Sequence, residues 1–318
     1  MSAALVFKAP EGWFPSASSI AREAGAQLRE FFAQGVETEY KGDVDLVTVA
    51  DRSSEKLIRA RLAAAFPHHG IYGEEGTRDR LDQQYRWYID PLDGTTNFAH
   101  GLPHFAVSMG LEFRPPSTPP GQDGAIVAGI VYDPMRDELF SAEIGDGASL
   151  NGKPIHVSPI AHLAESLIAT GFPSRKRHGS PNIHFYHEFT LRSHGVRRAG
   201  SAALDLAYIA AGRYQAFWEF NLNPWDTSAG SLLVTEAGGR ISDFSGGPFQ
   251  LNSQEVLASN GHIHEELVTL FKAMFAGRDL APILTPQQFA ALRASKSAGN
   301  SAPSGEQLGG ESRNTSSK

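Results

Sequence analysis

The chain has 318 residues, no cysteine and a formal net charge of -7. Disulfides and thiolate metal sites are excluded, a globally basic nucleic-acid binder is disfavoured, and the length suffices to bury a large core. No stretch reads as a membrane span and no basic-then-apolar leader opens the chain, so a cytoplasmic location is the expectation. In chain order, Ile20, Ala24, Leu28 and Phe31 recur at helical spacing and predict a first helix. Leu57, Ile58, Arg61, Leu62 and Ala65 predict a second, ending before Pro67, and Asp51 stands at its start where a carboxylate can cap free N–H groups. Ile71-Tyr72 reads as a strand end leading into the loop Gly73-Glu74-Glu75-Gly76. Residues 87–89 are aromatic and β-branched, as in a buried strand, and Pro91 disfavours helix at Asp90, so a turn is expected there. Residues 105–113, 125–132 and 138–142 continue as antiparallel strands, with a Pro- and Gly-rich loop at 114–124. Asn151-Gly152-Lys153-Pro154 is a turn near a subdomain boundary. The second half opens with a strand at 167–170 and alternates with helices near 182–193 and 201–211, an α/β pattern. A further helix, read as N-capped at Asp226, is closed by Gly238-Gly239, and the polar tail from about 295 to 318 is expected to be disordered.

The chemistry concentrates in Asp90-Pro91-Leu92-Asp93-Gly94-Thr95-Thr96-Asn97-Phe98. Asp90 and Asp93 can project to one side of the turn, while Gly94 removes a Cβ at the entrance of a short helix beginning at Thr95 whose free N–H groups suit a phosphate. Two carboxylates about 4 Å apart repel by roughly 4 kcal/mol at an effective dielectric near 20, so converging acids need cations or protons. Oxygen-only donors point to Mg²⁺. A bare Asp-Gly pair is more often an ordinary turn; the acids at Glu74 and Asp226 shift the balance. Capping and metal ligation both remain open for Asp226, as capping and catalysis do for Asp51. His68, His69, His100 and His104 match no zinc spacing, and Arg175-Lys176-Arg177-His178 reads as a solvated loop or an anion-attracting surface.

Three motifs in this order resemble the inositol monophosphatase family: Gly-Glu-Glu at 73–75, Asp-Pro-Leu-Asp-Gly-Thr-Thr-Asn-Phe at 90–98, and Trp225-Asp226 followed by Ala229-Gly230 and Glu236-Ala237-Gly238-Gly239. The likeness extends from about Ser16 to Phe275, includes residues 45–51 and 200–207, and is nearest to the bacterial inositol-1-monophosphatase branch. It implies an α-β-α-β-α layered sandwich of α/β class, with an N-terminal subdomain at 1–153 carrying most metal ligands, a second at 154–280 completing the site, and a tail at 281–318. It implies that Glu74, Asp90 and the Leu92 carbonyl hold one Mg²⁺, that Asp90, Asp93 and Asp226 hold a second, and that Glu74 contributes to a weaker third. Thr95 hydrogen-bonded to Asp51 would activate the attacking water, the phosphate would rest on the Gly94 and Thr95 amides, and Asp93, the Ala202 backbone and Glu219 would recognise the polyol. For Glu219 an exposed place on an apolar strand is the alternative. The implied activity is Mg²⁺-dependent, Li⁺-sensitive hydrolysis of a myo-inositol monophosphate by direct attack of a metal-activated water, in a homodimer. Fructose-1,6-bisphosphatase, histidinol-phosphatase, nucleotide 3′-phosphatase and a regulatory binding protein on the same fold are the alternatives. Three departures stand out: Gln215 where relatives often carry an acid, Ser228 where a small apolar residue is usual, and Lys41, one residue nearer Asp45 than a family lysine near the site.

Overall fold

The computed structural model describes residues 7–35, 38–41, 45–119, 123–172, 180–278, 280–283 and 285–299, with backbone alone for 38–41, 45–47 and 294–299. The basic run 175–178 and the Lys41 side chain therefore lie outside the described residues. The elements in order are α1 (Trp13–Gln34), β1 (Thr38–Lys41), β2 (Asp45–Thr48), α2 (Val49–Ala65), β3 (Gly70–Gly73), β4 (Arg78–Asp79), β5 (Tyr85–Asp93), α3 (Thr95–Ala99), β6 (Ala106–Phe113), β7 (Ala125–Asp133), β8 (Glu138–Glu143), β9 (Gly147–Leu150) and β10 (Lys153–Ile155). They continue with β11 (Leu167–Thr170), α4 (Asn182–Arg192), β12 (Gly195–Arg197), α5 (Ala202–Ala210), β13 (Ala216–Phe220), α6 (Pro224–Glu236), β14 (Arg240–Ser242), β15 (Glu255–Ser259), α7 (His264–Phe275) and α8 (Pro286–Gly299).

Among these elements, β1 and β2 form a hairpin, a large sheet runs in the order β10-β9-β8-β7-β6-β5-β3-β4, and a smaller one runs β12-β11-β13-β15-β14. Period-two alternation sorts their side chains into three cores. On one face of the large sheet, Ile89, Met109 and Ile130 pack under Ile20 and Leu28 of α1 and Ile58 of α2. On its other face, Val131, Phe140 and Ala142 meet α5 and α6, which in turn cover Phe217 and Val256 of the smaller sheet. The far side of that sheet, with Trp218 and Leu257, is closed by Phe185 and Phe189 of α4 and Phe271 of α7. The result is the expected α-β-α-β-α sandwich.

Two glycines set the spacing of the middle layer. Gly110 and Gly129 face each other across β6 and β7. A Cβ on Gly110 would come within 2.3 Å of the Ser228 hydroxyl, and one on Gly129 within 2.9 Å of the Ala229 Cα, so α6 lies directly on the backbone of the sheet. Ser228 is fully buried there, and its hydroxyl has no hydrogen-bond partner among the described residues. Gln215, also buried, accepts from the Leu167 N–H at 2.7 Å and stitches β11 to β13.

Two local expectations are corrected. The turn expected at Asp90 is an irregularity inside β5, whose pairing with β6 shifts register between Asp90 and Asp93 and resumes at Asp93; Pro91 has no N–H to give the ladder. The N-cap of α6 is Asn223, with Pro224 as first helical residue and Asp226 as the reciprocal partner in a capping box. Residues 281–318 form a second unit, of which the helix α8 spans Pro286–Gly299, and 300–318 lie outside the described residues. Among the described residues, no helix is long and apolar enough to cross a membrane.

Two predictions follow from buried polar groups. His69 is stacked on Phe66 and Tyr85, and its Nδ1 accepts from the donor-only Trp87 indole N–H at 3.1 Å, which requires the neutral ring. Burial, with His68 and Arg80 nearby, pushes its pKa down from 6.5 to about 4. The unfolded chain thus binds more protons between those values, so the contribution of His69 is complete above pH 6.5 and is lost as pH falls toward 4. The Tm advantage of the native chain over His69→Phe should shrink from pH 7 to pH 4.5; an advantage constant with pH would contradict the assignment. Ser228→Ala removes an unsatisfied hydroxyl, so urea denaturation should show a change between neutral and about 1 kcal/mol of added stability.

Candidate active site

Parallel pairing builds the first half of the site. Gly73 at the end of β3 stands opposite Ile89 of β5, so Glu74 emerges beside Asp90, with its N–H donating to the Ile89 carbonyl at 3.2 Å. Asp90 turns one carboxylate oxygen back onto the Leu92 N–H at 2.9 Å. Asp93 accepts from the Ser201 hydroxyl at 2.6 Å and the Ala203 N–H at 2.7 Å, which fixes it to the first turn of α5. Gly94 has φ +101°, and a Cβ there would meet the His104 carbonyl at 3.0 Å, so conformation and space both demand glycine. Asn97 donates to the carbonyls of His104 and Ala199 at 2.8 and 2.9 Å, tying this loop to the one that enters α5. Asp226 accepts from the Asn223 N–H at 2.7 Å; it both completes the cap of α6 and lines the cavity.

Asp51 makes the capping contact and a second contact, to Thr95. One oxygen accepts from the Thr48 N–H and hydroxyl at 2.7 and 2.6 Å, completing the capping box of α2, and the other faces the Thr95 hydroxyl at 2.9 Å. That hydroxyl is also 3.1 Å from the Leu92 carbonyl. Nine of the ten residues singled out in the sequence, all but Asp51, border one cavity of about 660 Å³. None of His68, His69, His100 and His104 does. Glu219, on β13, is 9% exposed rather than out in solvent. Gly171 makes its place: a Cβ there would fall 2.0 Å from the Glu219 carboxylate.

The electrostatics is that of crowded acids. Burial, then Glu74, Asp93 and Asp226, drive Asp90 well above the ordinary carboxylate range, and its hydrogen bond with Glu74 puts a proton between two carboxyl groups. Burial and Asp93 push Asp226 up to about 8, burial lifts Asp93 to about 6 against the pull of Ser201 and Ala203, and burial with Asp93 raises Glu219 to about 8. Among the described residues bordering the cavity, Arg198 is the one cation. Hard oxygen donors that repel one another suit a divalent cation such as Mg²⁺. Among the described residues, no three of these side chains already enclose a point as a finished metal cage would; they line a wall. Donor chemistry therefore fits Mg²⁺, with Glu74, Asp90, Asp93, Asp226 and the Leu92 carbonyl as the residues able to hold it.

The sequence pattern of the inositol monophosphatase family matches residues 11–274. An inositol-1-monophosphatase of Rhizobium meliloti is 42% identical over 257 residues, covering 80% of this chain and 91% of its own length. A protein of Pseudomonas aeruginosa named Nus factor SuhB is 44% identical over 231 residues, covering 71% and 82%. Among solved structures, inositol monophosphatase from Anabaena superposes with a TM-score of 0.72 at 37% identity, covering 85% of this chain and 97% of its own. The suhB protein of Bartonella henselae does so at 0.75 and 42%, covering 81% and 98%. Fold and site define a layered α/β protein with an acidic, oxygen-donor cavity. The chain belongs to the inositol monophosphatase family.

Sequence reasoning missed Glu55. Its carboxylate accepts from the Glu75 and Thr77 N–H groups at 2.6 and 2.9 Å and so shapes the loop that presents Glu74. Its signal was a buried-face acid in α2, four residues after Asp51 and 4% exposed in the structure. Gly73 is glycine because a Cβ would lie 2.5 Å from that carboxylate. Replacing Glu55 by Gln weakens two charge-assisted bonds and should cost about 1–3 kcal/mol in denaturant unfolding, together with a several-fold weaker Mg²⁺ affinity by calorimetry. Unchanged Mg²⁺ affinity would show that the loop holds Glu74 without this clamp.

Proposed function

We propose that the chain is a Mg²⁺-dependent phosphomonoesterase hydrolysing a myo-inositol monophosphate to myo-inositol and phosphate. The observation that carries this reading is the gathering of Glu74, Asp90, Asp93 and Asp226 on one cavity wall, with burial and mutual repulsion raising the pKa of the three aspartates. Two Mg²⁺ ions, with a weaker third, would supply charge neutralisation and Lewis-acid polarisation of water and of the ester oxygen. Glu74, Asp90 and the Leu92 carbonyl form one donor set; Asp90, Asp93 and Asp226 form the other. The phosphate lies against the Gly94 and Thr95 amides. The Thr95 hydroxyl accepts a proton from the attacking water while passing its own to Asp51, whose basicity is raised by burial and whose orientation is held by Thr48. Asp93, the Ala202 backbone and Glu219 face the alcohol that leaves. The names of the relatives in Rhizobium and Anabaena support inositol as that alcohol.

Phosphate release tests the reading on D-myo-inositol-1-phosphate, fructose-1,6-bisphosphate, histidinol phosphate and 3′-phosphoadenosine 5′-phosphate, each with Mg²⁺, with EDTA and with added Li⁺. The inositol ester should have the highest kcat/KM, EDTA should abolish release, and Li⁺ should depress it. Another ester tenfold better would keep the chemistry and move the substrate. A regulatory role is the second reading, favoured by the name of the Pseudomonas relative. Asp93→Asn separates the two, since it should cut kcat by at least about a hundredfold if metal-assisted chemistry is the function, while a scaffolding role would survive it.

A further inference from the structure

Every residue of α5 is buried, and its sequence Ala-Ala-Leu-Asp-Leu-Ala-Tyr-Ile-Ala carries one charged group, Asp205. The residue is 1% exposed, its Oδ1 has no hydrogen-bond partner among the described residues, and it borders the same cavity as Glu219. An unsatisfied carboxyl in an otherwise apolar buried helix is costly, and leucine or alanine would serve packing better. Asp205 has no part in two nearby structural duties: Ser201 provides the cap of α5, and Asp93 is held by Ser201 and Ala203. The remaining use for an orphan acceptor beside a substrate cavity is a donor brought by the substrate.

We infer that Asp205 is a second hydroxyl acceptor of the substrate pocket, working beside Glu219 to select alcohols that carry at least two free hydroxyl groups. The inference rests on the phosphatase reading and deepens it. Glu219, Asp93 and Arg198 all act on the charge of Asp205 and border the same cavity, so among the described residues this wall carries several acceptors and one cation. An apolar leaving group would leave both acids desolvated and unpaired, whereas a polyol supplies neutral donors to each without adding charge. Gly171 leaves the Glu219 carboxylate the room it occupies, which keeps the two acceptors on one rim.

The test compares myo-inositol-1-phosphate with cyclohexyl phosphate, which has the same ring and no hydroxyls, on the full chain with Mg²⁺. Asp205→Ala should lower the ratio of kcat/KM for the two esters by at least about tenfold, chiefly through KM for the inositol ester, and the isosteric Asp205→Asn should lower it less. The ratio is taken on one preparation, so a partly folded variant does not distort it. Should Asp205→Ala fail to fold, Asp205→Asn with a singly deoxygenated inositol ester carries the test. One deoxy ester should lose less on the variant than on the native chain. A ratio unmoved by substitution overturns the role of Asp205 while the phosphatase reading stands. No Mg²⁺-dependent release by the native chain from either ester overturns that reading, and this inference with it.

Discussion

The structure depends on holding like charges together in a buried place. At an effective dielectric near 20, each pair of carboxylates about 4 Å apart opposes folding by roughly 4 kcal/mol until a proton or a cation intervenes. The chain answers with directional ties. One oxygen of Asp90 is tied to the Leu92 amide, one of Asp93 to Ser201 and Ala203, and one of Asp226 to Asn223. Each tie fixes the orientation of the group and leaves repulsion to be relieved from the cavity side. Protonation relieves it in the absence of metal, which is why Asp90 and Asp226 sit so far above the ordinary carboxylate range.

Close packing allows the ties to converge. Asp226 belongs to α6, and Asp93 is secured to α5, so the site exists only if both helices lie against the large sheet. Gly110 and Gly129 permit α6 that approach by presenting bare backbone to Ser228 and Ala229. Parallel pairing of β3 with β5 brings Glu74 to Asp90 without any turn between them, because the register that places Gly73 against Ile89 sets the next residues side by side. Asn97 then bridges the loop after β5 to the loop before α5. The cavity lies where these approaches meet, so substitutions at the glycines and at Asn97 act on the site through geometry alone.

Much of this was legible in the sequence, for reasons that differ by residue. The helices α1 and α2 announce themselves by periodicity, and β6 to β8 by their apolar runs and intervening turns. Asp90, Asp93 and Asp226 drew attention as acids beside Pro, Gly and Trp. Asp51 and Asp226 both cap helices; Asp226 also borders the cavity, whereas Asp51 reaches it through Thr95, because a carboxylate has a second oxygen to offer. Glu55, and the bridge that Asn97 makes to Ala199, stayed hidden because the partners are backbone atoms 20, 22 and 102 residues away, which no local spacing reveals. Asp205 was written in a segment that matched the family, and only the burial of the whole helix marks it as anomalous.

The two departures that cast doubt on substrate choice resolve differently once placed. Gln215 immediately precedes β13, with its side-chain oxygen committed to the Leu167 amide and no part in bordering the cavity, so the missing acid there changes a strand contact. Ser228 points at Gly110 inside the packed layer and does not border the cavity either. On the proposed phosphatase reading, choice of alcohol falls to groups that do border it: Glu219, given room by Gly171, Asp205 and Arg198. A pocket rim built from desolvated acceptors discriminates by what it leaves unpaired, and it rejects an alcohol lacking hydroxyls more strongly than it distinguishes one polyol from another. On that physical ground, this cavity should separate polyol esters from apolar ones sharply, with finer distinctions among polyols resting on which hydroxyls reach both Glu219 and Asp205 at once.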